Sequence, residues 1–192
     1  MRELKTRAEF PALLVELGLT GIGVEVGVQY GQHAAQILGN WPGVLIAIDP
    51  WREQVDYSDI ANVSQEEQDV IYRMAIGVLS PWVFKERRCI VIRDFGLAQS
   101  ARFSRGFDFV YLDAMHDYRN VMDDLVAWTP LVKPGGILAG HDYLDGEMAF
   151  EGFGRPTTFG VKRAVDEFAA AMGYAVHVTT DDKFPTWMIR IP

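Results

Sequence analysis

Asp113 with His116, and His141 with Asp142, are the side chains in this sequence best suited to hold a divalent cation and move a proton. Carboxylate oxygens are hard donors and imidazole is a borderline one. A set made of Asp113, His141 and Asp142 would leave coordination positions open for substrate. His116, three residues after Asp113, suits general-base chemistry because a free imidazole titrates near neutrality. Each also has an ordinary alternative: Asp142 as a turn cap, His141 bonded to a backbone carbonyl, His116 as cap of a helix starting at Asp117 or Tyr118. Convergence of three donors from two strand ends favours the cation.

A second constellation is Glu25-Val26-Gly27-Val28-Gln29-Tyr30-Gly31, a glycine turn joining a strand to a helix. A dinucleotide fingerprint needs glycine two residues after the first so that pyrophosphate can touch the backbone, and Gln29 stands there. A ligand with an amino-acid part near Glu25 and Gly27 fits better. Asp49 ends the next strand about twenty residues on, where an acid accepts from ribose hydroxyls. Asp94 ends the third strand, placed for an adenine amino group, and Trp51 or Phe95 would pack on the ring face. Against this, Asp94 could cap the helix beginning near Leu97 and Trp51 could be core. His33 and His177 receive no role.

These residues require strands that end together on one rim. Phe109 to Leu112 and Ile137 to Ala139 are short apolar runs, the second entered through Lys133-Pro134-Gly135-Gly136. Between them Val121, Leu125 and Trp128 recur at helical spacing, predicting strand, helix and parallel strand with a right-handed crossover. Strands are also expected at Gly23 to Val28, Val44 to Ile48, Cys89 to Ile92, Tyr174 to Thr179 and Thr186 to Ile191, the last two as a hairpin-like pair. Helices are expected over Thr6 to Leu17, through Ala34 to Leu38, from Ser64 to Val78, and from Gly160 through Phe168. Thr6 with Glu9, and Ser64 with Glu67, have capping-box spacing. Pro50 to Val63 and Leu144 to Phe159 lack periodicity and are expected to be rim loops. The sum is a doubly wound α/β fold, a mostly parallel sheet of about seven strands with an antiparallel C-terminal edge.

The length, 192 residues with 49% apolar, suits one domain spanning 1–192. A net charge of −8 without a basic cluster argues against nucleic acid as partner. The single cysteine, Cys89, forms no internal disulfide and fits a reducing cytoplasm, and no apolar run approaches membrane-spanning length. A homo-oligomer is left open.

Over nearly its whole length the chain resembles the class I S-adenosylmethionine-dependent methyltransferases. VEVGVQYG is similar to their first motif and AIDPW to their acidic second. YLDAMHDY with KPGGILAGHDY resembles a small bacterial group that includes the metal-dependent macrolide-sugar O-methyltransferases. The resemblance implies a Rossmann-like methyltransferase fold with S-adenosyl-L-methionine at Glu25, Gly27, Tyr30, Gly31, Asp49, Trp51, Asp94, Phe95 and Asp113. It implies a divalent cation, magnesium by expectation, on Asp113, His141 and Asp142, His116 as base, and a small-molecule hydroxyl (sugar, phenol or natural product) as acceptor. His141 departs from the group, which has a carboxylate there, and Phe95 replaces a small polar residue. Two other readings use the same elements. A nicotinamide-dependent oxidoreductase would lack its second glycine, and a metal-dependent hydrolase would have no use for Asp49 and Asp94.

Overall fold

The computed structural model describes residues 1–192. Its seven-stranded sheet has the order β3-β2-β1-β4-β5-β9-β8. The strands are β1 (Ile22–Val26), β2 (Val44–Asp49), β3 (Cys89–Arg93), β4 (Phe107–Leu112), β5 (Val132–Gly140), β8 (Val176–Val178) and β9 (Trp187–Arg190). β1 to β5 are mutually parallel, whereas β9 runs antiparallel to both β5 and β8. This is the expected α/β architecture with its antiparallel edge.

Side-chain alternation along the strands divides the interior in two. Leu45, Ala47, Phe109, Tyr111, Ile137 and Ala139 face one layer, under α1 (Phe10–Glu16), α2 (Gln32–Asn40) and α3 (Gln65–Ser80). Val24, Val26, Ile46, Ile48, Val110, Leu112 and Leu138 face the other, under α5 (Tyr118–Trp128) and α6 (Val161–Met172). β4 is buried at every position, as a central strand covered on both faces must be. Helix starts follow the capping chemistry. Glu67 accepts from the Ser64 backbone N–H at 3.1 Å, and Asp117 accepts from Asn120 N–H at 3.2 Å at the start of α5. Both expected capping boxes form.

The segment from Leu144 to Phe159 is not wholly a loop. It holds an antiparallel pair, β6 (Asp145–Met148) and β7 (Thr157–Gly160), outside the main sheet. A short helix, α4 (Gly96–Ser100), follows β3. No helix is long and apolar enough to cross a membrane.

Candidate active site

Sequence order reverses between β1 and β4, so the chain leaves these neighbours toward opposite sides and opens a crevice beyond their C-terminal ends. A cavity of about 910 Å3 fills it, lined by Glu25, Gly27, Asp49, Phe95, Asp113, His116, His141 and Asp142 among others. Residues from the ends of five different strands are thus brought together.

At the β1 end, Gly27 has φ +89°, and a Cβ there would lie 1.8 Å from the Asp113 carbonyl oxygen. Only glycine lets these two rim segments touch. Asp49 organises the adjoining turn: one oxygen accepts from the Val28 and Gln29 N–H groups, both at 2.9 Å, and the other from Trp51 N–H at 2.7 Å. Gln29 and Trp51 adopt left-handed φ values of 46° and 40°. Burial raises the Asp49 pKa despite these three donors. Glu25 is 1% exposed and receives only His33 Nδ1, at 2.7 Å, on Oε1. Its Oε2 has no partner, and burial raises its pKa above the ordinary range.

At the β4 and β5 ends, donor atoms of Asp113, His141 and Asp142 lie within 4.8 Å of one another. Ligands on opposite sides of one cation are separated by twice the bond length, about 4.0 to 4.2 Å around magnesium and about 4.6 to 5.2 Å around calcium, so three donors this close together can share one divalent ion. Asp142 sits at φ 52°, a left-handed conformation that aspartate adopts more readily than most non-glycine residues. Burial raises the Asp113 pKa. For Asp142, hydrogen bonds from His116 and His141 outweigh burial and pull it well below the carboxylate range.

His116 is held from both sides. Its Nδ1 lies 2.9 Å from Asp59 and its Nε2 3.0 Å from Asp142, while its backbone N–H donates to the Tyr57 hydroxyl at 2.9 Å. Burial alone would depress the imidazole pKa, but the two carboxylates prevail and it is pushed up to about 10. His116 therefore carries its proton at neutral pH unless one contact is released, a condition that its spacing from Asp113 does not reveal. Phe159 stacks beside the ring with centroids 5.4 Å apart, and Phe184 and Phe150 extend the aromatic wall.

Four expected cofactor residues lie elsewhere. Trp51 is fully buried against Tyr72 and donates its indole N–H to Gln29 O at 2.8 Å, so the core alternative applies. Asp94 turns its carboxylate to Phe95 N–H at 2.8 Å and Gln99 Nε2 at 2.6 Å, bracing the start of α4, and does not line the cavity. Tyr30 packs against the core, and Gly31, at φ 81°, starts α2 facing Leu79 and Ala75. Phe95 does line the cavity, at the wall formed with Gly96 and Leu97. Residues not singled out from the sequence join instead: Asp59, His33, Arg7 and Phe184. The unpatterned length of Pro50 to Val63 flagged the segment that carries Asp59, and nothing in it marked the residue.

The chain matches a family described as a methyltransferase domain over residues 24–143. None of the curated proteins matches it. Among solved structures, an O-methyltransferase from Bacillus cereus in complex with SAH is 15% identical, with TM-score 0.63, covering 96% of this chain and 80% of that one. A protein from Corynebacterium glutamicum is 17% identical, with TM-score 0.64 and coverage of 95% and 81%. An rRNA methylase from Streptococcus thermophilus is 13% identical, with TM-score 0.61 and coverage of 95% and 93%. At these identities the likeness is one of fold.

Proposed function

This chain belongs to the methyltransferase-domain family, and from that premise we propose that it is an S-adenosylmethionine-dependent O-methyltransferase acting on a small-molecule hydroxyl. The observation that carries this reading is adjacency within one cavity: the Gly27 turn with the free Glu25 oxygen adjoins the Asp113, His141 and Asp142 cluster. Glu25 and Gly27 hold the methionine part, Asp49 faces the ribose, and Phe95 with the start of α4 receives the adenine that Asp94 does not reach.

Asp113, His141 and Asp142 would hold a divalent cation, magnesium by the hardness of the two carboxylates, which would supply charge that lowers the pKa of a bound hydroxyl. Released from Asp142, Nε2 gives its proton to solvent, and the neutral ring then takes the hydroxyl proton at Nε2 with Asp59 retaining Nδ1–H. The acceptor oxygen then attacks the sulfonium methyl in line, forming the C–O bond as the C–S bond breaks and its electron pair stays on sulfur. Phe150, Phe159 and Phe184 wall the acceptor side and suit the flat or apolar face of a sugar, phenol or natural product. A polyanion is disfavoured in the cavity as a whole, because Asp59, Asp123, Asp124 and Asp142 line it and outnumber Arg7 and Arg52.

Calorimetry with S-adenosylhomocysteine tests the donor, and an acceptor panel of vicinal diols with and without chelator tests the cation. The expected result is donor-product binding that survives both chelation and Asp142→Ala, with methylation lost in both. Absence of binding at millimolar ligand overturns the donor. Full-rate methylation under chelation removes the cation.

A further inference from the structure

The outer face of α3 is apolar and exposed. Its inner face packs Ile71, Ala75 and Leu79 into the core, while Val70, Met74 and Val78 on the opposite side are 42%, 52% and 38% exposed. A surface helix ordinarily turns charged residues to water there. The helix continues through the π-helical turn Pro81–Lys85, where Phe84 is also exposed. Gly77 lies mid-helix in the same stripe, where glycine is less stable than alanine, and a Cβ built on it would meet nothing within 4 Å. No contact within the chain accounts for this glycine, whereas close approach of a second helix would.

The spacing along this face is a palindrome. Glu66, Val70 and Met74 stand four apart, Gly77, Pro81 and Lys85 stand four apart, and three positions separate Met74 from Gly77. A two-fold axis at the level of Ala75 and Ile76 would lay two antiparallel copies of the helix with Met74 of one over Gly77 of the other. Val70 then meets Pro81, Val78 meets the aliphatic stem of Arg73, and Glu66 stands opposite Lys85. Each contact occurs twice, as a self-complementary interface requires. Glu66 and Lys85 are both exposed, and their charged neighbours are engaged elsewhere, Asp69 with Arg93 and Glu86 with Arg88. A net charge of −8 opposes the association of two copies, so a self-contact needs opposite charges paired locally, and this register supplies them at both ends. We propose that the outer face of α3, with Pro81–Lys85, is the interface with a second copy of this chain, the two helices running antiparallel. A different partner would have no need of the mirrored spacing.

Sedimentation equilibrium on the full chain tests this. As concentration rises through the micromolar range, wild type is expected to move from 21.6 kDa towards twice that mass. Met74→Glu should stay at the lower mass with a wild-type circular dichroism spectrum. Glu66→Lys and Lys85→Glu should each raise the dimer Kd about 10-fold at low salt, because each turns two attractive pairs into repulsive ones. Mixed in equal amounts, the two variants should recover wild-type affinity, since the mixed dimer restores opposite charges at both ends. A wild type that remains at 21.6 kDa at every concentration leaves the face to some other partner and overturns the proposal. So does a wild-type Kd for Met74→Glu, or a mixture that associates no more tightly than either variant alone.

Discussion

His116 shows how one residue's surroundings redefine its chemistry. Its two ring nitrogens lie against Asp59 and Asp142, so the protonated form is favoured and its pKa is pushed up to about 10. A raised folded-state value means that the charged ring stabilises the fold fully below the unfolded histidine value of about 6.5. That contribution declines as pH rises above it and is gone once pH passes about 10. In chelated protein, urea melts of wild type and His116→Gln should therefore differ most near pH 6 and converge above pH 10; a gap that widens with pH refutes the pairing. For the reaction, the same substitution should slow single-turnover methylation by roughly 10²- to 10⁴-fold, the usual contribution of a general base. A mutant that keeps the wild-type rate and pH profile removes the base role. The position of His116 beside the cluster was legible from its spacing, and its Asp59 partner was not, because that contact joins residues 57 positions apart. Trp51 and Asp94 lie off the cavity wall for a related reason: a strand-end position fixes which rim a residue is on, while local donors decide where its side chain turns. Gln99 and the Phe95 N–H claim Asp94 first.

At the scale of elements, the rim depends on β1 and β4 leaving the sheet in contact. Asp113 N–H donates to Val26 O at 2.7 Å, and Gly27 N–H to Ile48 O at 2.9 Å, so the ladders of three strands extend into the cavity floor. Gly27→Ala would add the cost of a left-handed alanine, about 1 to 2 kcal/mol, and drive its methyl into the Asp113 carbonyl. The expected outcome is a melting temperature lower by more than that strain alone predicts, together with lost S-adenosylhomocysteine binding; wild-type binding would show that the rim can move without consequence. The strands themselves were legible because their apolar runs are continuous or alternating, and β2, β3 and β4 close on or are followed by an acid. The β6 and β7 pair was not. Each strand has four residues, β6 is exposed over most of its length, and Gly146 sits inside it, so neither burial nor propensity left a pattern. Its pairing comes from packing: Gly160 N–H donates to His116 O at 2.8 Å, and Lys162 N–H to Leu144 O at 3.0 Å.

Across the whole molecule the two halves of the cavity differ in how they are held. The side proposed for the donor is built on β1 and β2, inside the hydrogen-bonded sheet, whereas the side proposed for the acceptor is lined from the segments Pro50 to Val63 and Leu144 to Phe159. These meet through Ser58 Oγ, which donates to Pro156 O at 2.9 Å. An exposed neutral hydrogen bond contributes only about 0.5 to 1.5 kcal/mol, so this junction between the two segments is weakly held. Ligands for the two halves should then have separable effects. S-adenosylhomocysteine at about 100 times its Kd should stabilise the protein by about 2.7 kcal/mol, or roughly 5 to 10 °C in melting temperature for a chain of this size. Ser58→Ala should leave that shift intact, because it touches no residue of the donor half. It should raise KM for the methyl acceptor, because the two segments line that side. A Ser58→Ala protein with a reduced donor-product shift and an unchanged acceptor KM would mean that the two segments cover the donor instead, and the division of the cavity between sheet and segments would have to be reversed.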